Sequence, residues 1–342
     1  MTCLRYQSLW PVHNKPLDDE LLSNLLVRLA HGHGLKVQPF CDLIFGNQYQ
    51  IWNRDIDRCA PDWLIDTLSE HIGKKKEAIL QMSLRAYEEK FYRRYRESGV
   101  LRWILPLALY HRTRRGHGLQ FCPHCLAEDS IPYFRKRWRV AFYTYCSRHK
   151  AMLHDRCPKC GAAIVFHRIE LGHPKYSGGG ALSQCFQCGF DLRNAAVDRP
   201  VFYEDSAFQA FDIAIRRLEG AGPRNRPRSV RYFNVLHHLC WLLLAHYRRL
   251  ALLDFVVQQV GAPEVDIVSA RLAFEERSIW ERHHLVQLAF WLLADLDARL
   301  TAAWHNRVVT YSELFKDFED RPDWYDRIAG RFSDWRREFR TR

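Results

Sequence analysis

Along residues 19–30 apolar side chains fall at 21, 22, 25, 26 and 29, the spacing of a helix with one apolar face. Gly32 and Gly34 interrupt the pattern, and Pro39 suits the first turn of a second helix beginning near Val37. Another pair follows. Positions 64, 65, 68 and 72 share a face, Gly73 is a helix stop, and 74–82 resumes the helical period after it. Both pairs are helix-turn-helix candidates, with 52–55 as a loop between them. Beyond residue 200 wide apolar stripes predict helices over 206–219, 230–248 and 281–303, with shorter ones over 311–318 and 324–339 and a linker over 220–228. Between these regions the helical period fades. Residues 133–145 are dense in Tyr, Phe, Trp and Val, which favours strands, and Ser177 with Gly178, Gly179 and Gly180 reads as a loop tip.

That middle stretch carries the chemistry. Cys122 and Cys125, Cys146 and His149, Cys157 and Cys160, and Cys185 and Cys188 form four pairs, each with a two-residue spacer. Such a spacer lets one tight turn present two side chains to an ion, and two turns complete a tetrahedron. Two Zn²⁺ ions per chain are expected, in tandem zinc ribbons whose hairpins span the 20 residues between Cys125 and Cys146 and the 24 between Cys160 and Cys185. A cross-brace, in which alternate pairs share an ion, uses the same eight ligands. Four ligands per ion leave no position for a reactive water, which argues for structural sites over catalytic ones. The other cysteines (Cys3, Cys41, Cys59 and Cys240) are scattered, and an odd total of 11 argues for a reducing compartment. The expected architecture is mainly α with a small β component: an N-terminal helix-turn-helix domain over 1–118, the zinc-ribbon region over 119–200, and a C-terminal helical domain over 201–342.

Charge adds a direction. The formal net charge is +12, and the stretch 85–150 holds 15 Lys and Arg against 5 Asp and Glu, so most of the excess surrounds the first metal pair. Within it Arg93 and Arg94, then Arg112, Arg114 and Arg115, then Arg135, Lys136, Arg137, Trp138 and Arg139 interleave cations with aromatic rings, a pattern suited to phosphates and bases. Lys74, Lys75 and Lys76 offer further phosphate contacts, whereas the 37–45 helix is apolar and carries Asp42, poor equipment for reading bases. The paired histidines 237 with 238 and 283 with 284 point in different directions on their helices and read as packing or solvated residues. No Gly-Lys-Ser/Thr phosphate loop, Gly-x-Ser-x-Gly elbow or distinct acidic trio occurs. The longest apolar runs, 239–245 and 288–293, are far short of a membrane span, and the first residues lack an apolar leader, so a cytoplasmic protein without membrane contact is expected.

The start from Leu17 to Gly34, the knuckles Cys122-Pro-His-Cys125 and Cys146-Ser-Arg-His149 with Arg137-Trp138-Arg139 between them, Cys157-Pro-Lys-Cys160-Gly161, Cys185-Phe-Gln-Cys188-Gly189, and the tail from Leu314 to Tyr325 together resemble the TniQ family of transposon target-selection proteins. The resemblance implies a non-catalytic adaptor that links a target-recognising element to an AAA+ transposition regulator and its transposase. Some members read DNA directly. Others form a homodimer on an RNA-guided Cascade complex, and the short chain and weak reading helix favour that type here. A direct attachment-site selector, a zinc transcription regulator and a zinc-dependent enzyme acting on nucleic acid are the alternatives. The resemblance maps the same eight residues as ligands, four per site in chain order.

Overall fold

The computed structural model describes residues 9–47, 49–110, 113, 114, 116–176, 182–219, 226–245, 251–267 and 272–332. The chain divides into two compact units: Met1–Glu88 with Tyr95–Arg199, and Glu89–Arg94 with Pro200–Arg342.

The first unit is built around helix α1 (Leu22–Gly32), whose residues 22 to 30 are all buried. Its apolar stripe explains only half of this. Ser23, Asn24 and Arg28 are buried too, and burial of a polar group is tolerable only when its hydrogen bonds are met. They are met. Arg28 grips both carboxylate oxygens of buried Glu20 at 2.9 and 2.8 Å, Asn24 donates to Glu20 at 2.5 Å, and Ser23 donates to Asp57 through its backbone N–H and its hydroxyl. Helices α2 (Val37–Phe45), α3 (Ile56–Cys59), α4 (Asp62–Ile72) and α5 (Lys76–Leu80) complete the N-terminal part. As the stop signal implied, Gly73 adopts φ 62°, and Lys74 donates back to the Ser69 carbonyl at 3.1 Å.

Strands are minimal. β1 (Leu109–Tyr110) pairs antiparallel with β2 (Thr113–Arg114), and β3 (Tyr145–Cys146) with β4 (Ala151–Met152), in the register Tyr145↔Met152 and Cys146↔Ala151. Helix α6 (Pro123–Glu128) starts inside the first metal pair. The hairpin expected over 133–145 is not there: the segment is extended with a 3₁₀ turn at Lys136–Arg139. Its backbone bonds the start of α1 instead of a partner strand, with Leu21 donating to the Phe134 carbonyl at 3.0 Å and Phe134 donating to the Asn24 side chain at 3.1 Å, while the Phe134 ring stacks on Phe166 and Phe142 meets Trp103. Nearby, two chain segments cross so closely that a Cβ on buried Gly118 would overlap the Pro106 carbonyl, which is backbone and cannot step aside. Gly118→Ala is therefore expected to cost about 2 to 3 kcal/mol, read as a lowered denaturation midpoint at constant slope.

The second unit packs α7 (Asp205–Glu219), α8 (Arg226–Leu243), α9 (Ala251–Val260) and α11 (Leu296–His305) around α10 (Ile279–Ala294), with α12 (Tyr311–Phe315) and α13 (Asp323–Ala329) following. Ser278 and Glu281 form a reciprocal capping box that starts α10, and Thr310 with Glu313 does the same for α12. The single helix expected over 281–303 is two, because Asp295 leaves helical geometry and accepts from the Ala298 N–H to start α11. Helix α9 carried no expectation from the sequence. The paired histidines are packing groups: His237 meets Glu275 at 2.8 Å, His238 stacks on Phe318, His283 lies 3.3 Å from the Val201 carbonyl, and His284 meets the Tyr203 hydroxyl at 2.6 Å. Among the described residues no helix is long and apolar enough to cross a membrane. The helix expected over 324–339 ends at Ala329, and the loop tip 177–180, most of the linker and residues 333–339 lie outside the described residues.

Candidate metal centres and basic segments

The eight expected ligands converge in two clusters in chain order, Cys122, Cys125, Cys146 and His149, then Cys157, Cys160, Cys185 and Cys188, each with its ligand atoms within 4.8 Å of one another. The cross-brace arrangement does not occur. The local fold shows why a two-residue spacer works. After three of the four knuckles the chain turns through a residue with positive φ, Lys150 (50°), Gly161 (70°) and Gly189 (72°), and each donates its N–H to the carbonyl of the knuckle's first cysteine at 2.8 Å. Pairing closes just outside each turn: β3 with β4 around the second knuckle, and isolated bridges Arg156↔Ala163 and Gln184↔Asp191 around the third and fourth. Each of these knuckles is thus the tip of a very short hairpin. The first instead runs straight into α6, where Leu126 donates to the Cys122 carbonyl at 3.1 Å.

The spacing between ligand atoms fits zinc. A tetrahedron with Zn–S near 2.3 Å and Zn–N near 2.0 Å has S···S edges of about 3.8 Å and S···N edges of about 3.5 Å. The Cys125–Cys146, Cys157–Cys188 and Cys160–Cys185 sulfur pairs are 3.7, 3.6 and 3.7 Å apart, and His149 Nδ1 lies 3.4, 3.4 and 3.5 Å from Cys122, Cys125 and Cys146. These separations are far beyond a disulfide bond. His149 presents Nδ1 inward, while its Nε2 lies 3.0 Å from a Glu128 carboxylate oxygen, the outer partner that orients an imidazole toward a metal. All three cysteines of the first cluster are buried; in the second, Cys160 is exposed and Cys188 half-buried. Both clusters can hold zinc, and the second is the one open to solvent.

The basic segments divide. Lys74 and Lys75 are exposed, and Lys76 pairs with Asp66 at 2.6 Å. Arg93 and Arg94 are exposed on the second unit, Arg93 reaching Asp320 at 3.5 Å. Arg114 is half-buried and donates to the Ile164 carbonyl at 3.0 Å, while Arg112 and Arg115 lie outside the described residues.

Residues 135–139, read from the sequence as a contact surface, turn mostly inward. The reason is that each of the three arginines meets a carboxylate. Arg135 pairs bidentately with Asp129 at 3.0 and 2.7 Å under the Tyr133 and Trp138 rings. Lys136 donates to the Gln81 carbonyl, and Arg137 pairs with Asp19 at 2.6 Å. Trp138 is fully buried, and Arg139, 1% exposed, holds Asp55 at 3.1 and 2.6 Å, lies 3.5 Å from Asp57, and donates to the Leu105 carbonyl. Burial pulls the Arg139 pKa down, but the two aspartates outweigh it and hold the guanidinium charged; burial and Asp55 push the Asp57 carboxyl up to about 6. Arg139→Ala would leave Asp55 and Asp57 without their cation, a loss of about 4 kcal/mol in denaturant unfolding. Combining it with Asp57→Asn is expected to cost less than the sum of the two.

Asp19, Glu20, Asp55 and Asp57 are the residues that sequence reasoning missed. No local signal marks Asp19, Asp55 and Asp57, whose cations stand up to 118 residues away, whereas Glu20 meets Arg28 only eight residues on.

Among curated proteins no match to the chain is found. The family model TniQ matches residues 11–153, a stretch that runs from the segment before α1 through the first metal cluster. Over that region the chain is similar to the TniQ family, a likeness that suggests a transposition-associated adaptor.

Proposed function

We propose that this chain is a non-catalytic adaptor for choosing transposition target sites, linking an RNA-guided Cascade-type complex on target DNA to an AAA+ regulator and, through it, to the transposase. The observation that carries the reading is the TniQ match over 11–153. The metal clusters agree with a scaffold: four protein ligands fill each tetrahedron, so a zinc ion there has no open position for substrate or water. The ions act as folding clamps, with the eight named residues as ligands. The chain works as a homodimer beside DNA in the cytoplasm. Its exposed cations, Lys74 and Lys75 on one unit and Arg93 and Arg94 on the other, are available to nucleic acid or to acidic protein surfaces.

The test is an insertion assay with a donor element, its AAA+ regulator and transposase, an RNA-guided complex, and this chain, read by sequencing the insertion junctions. Insertions should depend on the chain and relocate when the guide is changed. Insertion at one constant site whatever the guide would favour direct site reading by the helical pairs. Insertion that is indifferent to the chain would remove the adaptor reading altogether.

A further inference from the structure

A cavity of about 260 Å³ opens on the first unit, away from both metal clusters in its lining. Arg54, Arg58 and Glu97 stand on its polar side, and Leu105, Pro106 and Leu107 line its apolar side. It is smaller than the roughly 300 Å³ at which small-molecule pockets begin, room for a side chain or two but not for a cofactor.

Its charges are not balanced. Asp55, at the polar wall, is held by Arg139 at 2.6 Å, and Glu97 lies 3.7 Å from Arg85. The two arginines have no such answer. Among the described residues exposed Arg54 meets no carboxylate and lies over the Tyr49 ring at 5.0 Å, while Arg58 donates only to a neutral acceptor, the Arg96 carbonyl, at 3.3 and 3.1 Å. Tyr49 also ties the cavity to an aromatic surface. Its hydroxyl donates to the carbonyl of Cys59 in the lining, and its ring takes the edge of Trp63 at 5.3 Å, with Trp63 40% exposed and in ring contact with Phe45. Trp, Tyr and Arg gathered at an exposed concave spot are the residue types that carry most protein–protein binding energy.

We propose that this cavity docks an acidic peptide segment of a partner protein, an apolar side chain resting on Leu105 and Leu107 and a neighbouring carboxylate held by Arg54 and Arg58. A planar carboxylate matches the guanidinium fork. A nucleic-acid strand fits less well, because a continuous row of phosphates would outnumber the two guanidinium groups and crowd its own charges at one small cavity. A single carboxylate avoids that repulsion. The proposal deepens the adaptor reading by giving one partner its chemistry.

The probe is an array of synthetic octapeptides with a central Leu or Phe flanked by Asp and Glu, each matched by its Asn/Gln counterpart, exposed to the full zinc-loaded chain with oligothymidine as competitor. The acidic peptides should bind at least about tenfold more tightly than their amide partners. That preference should vanish in Arg54→Gln/Arg58→Gln with zinc content and circular dichroism unchanged, and persist in Lys74→Gln/Lys75→Gln. Since Arg54 is exposed, Arg54→Gln alone serves if the double variant loses zinc. Equal binding of both sets, no binding by any peptide, a preference that survives the arginine variants, or displacement of peptide by oligothymidine would each overturn the proposal. The array contains no transposition component and the insertion assay does not read this cavity, so the two readings fail separately.

Discussion

Stripping zinc is expected to unfold the middle of the first unit and to do so in two steps. Structural zinc binding is worth about 10 to 16 kcal/mol, and the knuckles have little else to hold them: two-residue strands, single bridges and turns. The second cluster, with Cys160 exposed and Cys188 half-buried, should yield its ion to a chelator first; the buried first cluster should follow more slowly. Zinc release read with a colorimetric chelator alongside circular dichroism checks this. Cys125→Ala should remove one ion and leave the other, as the chain-order clusters require. A protein purified with no zinc, or one whose two ions leave together with no change in circular dichroism, would contradict the expectation.

Acid should loosen the second unit through its buried histidines. Burial lowers the pKa of His283 and of His284 from 6.5 to about 4, His283 being lowered further by its neighbour's charge. In the unfolded chain both rings bind protons near pH 6.5, while the folded chain resists until about pH 4. Unfolding therefore takes up protons in that window. The stabilisation is complete above pH 6.5 and is lost as pH falls, by about 5 kcal/mol for the two rings at pH 4.5. Hydrogen exchange of α10 amides, corrected for intrinsic rates, should show the loss between pH 6.5 and 4.5, and retained protection would refute it. In the first unit Asp57 acts with the opposite sign: its raised pKa makes the folded state the better proton acceptor, so acid favours its burial.

What could be read from the chain alone follows from distance along it. The metal ligands were legible because a knuckle is a local object: two side chains, two spacer residues and a turn residue such as Gly161. The helices α1, α2, α4, α7 and α8 were legible for the same reason. The Arg135–Arg139 segment was not. Its composition suits a solvent-facing surface, and the arrival of Asp19 and Asp55 from far upstream, with Asp129 close by for Arg135, makes it an ion-pair layer. The missing hairpin over 133–145 has the same cause, since backbone groups at Phe134 bond Leu21 and Asn24 from far upstream instead of a partner strand. The break between α10 and α11 is subtler, an Asp295 that caps a new helix in the middle of an unbroken apolar period.

The pairing of Arg139 with Asp55, across 84 residues of chain, also bears on how the molecule comes into being. Synthesis proceeds from the N-terminus, and domains tend to fold as units once their parts have emerged. Helix α1 and its acidic neighbours emerge long before the segment that covers them. Until Phe134 and Arg139 have left the ribosome, Asn24 lacks its partner and Asp55 lacks its cation, so the first helices wait unfinished. Such distant contacts slow folding. The half-made N-terminal part is thus the stage at which a nascent chain most needs shelter, and capture of the first metal ion, whose last ligand is His149, comes at almost the same point in synthesis as the end of that wait.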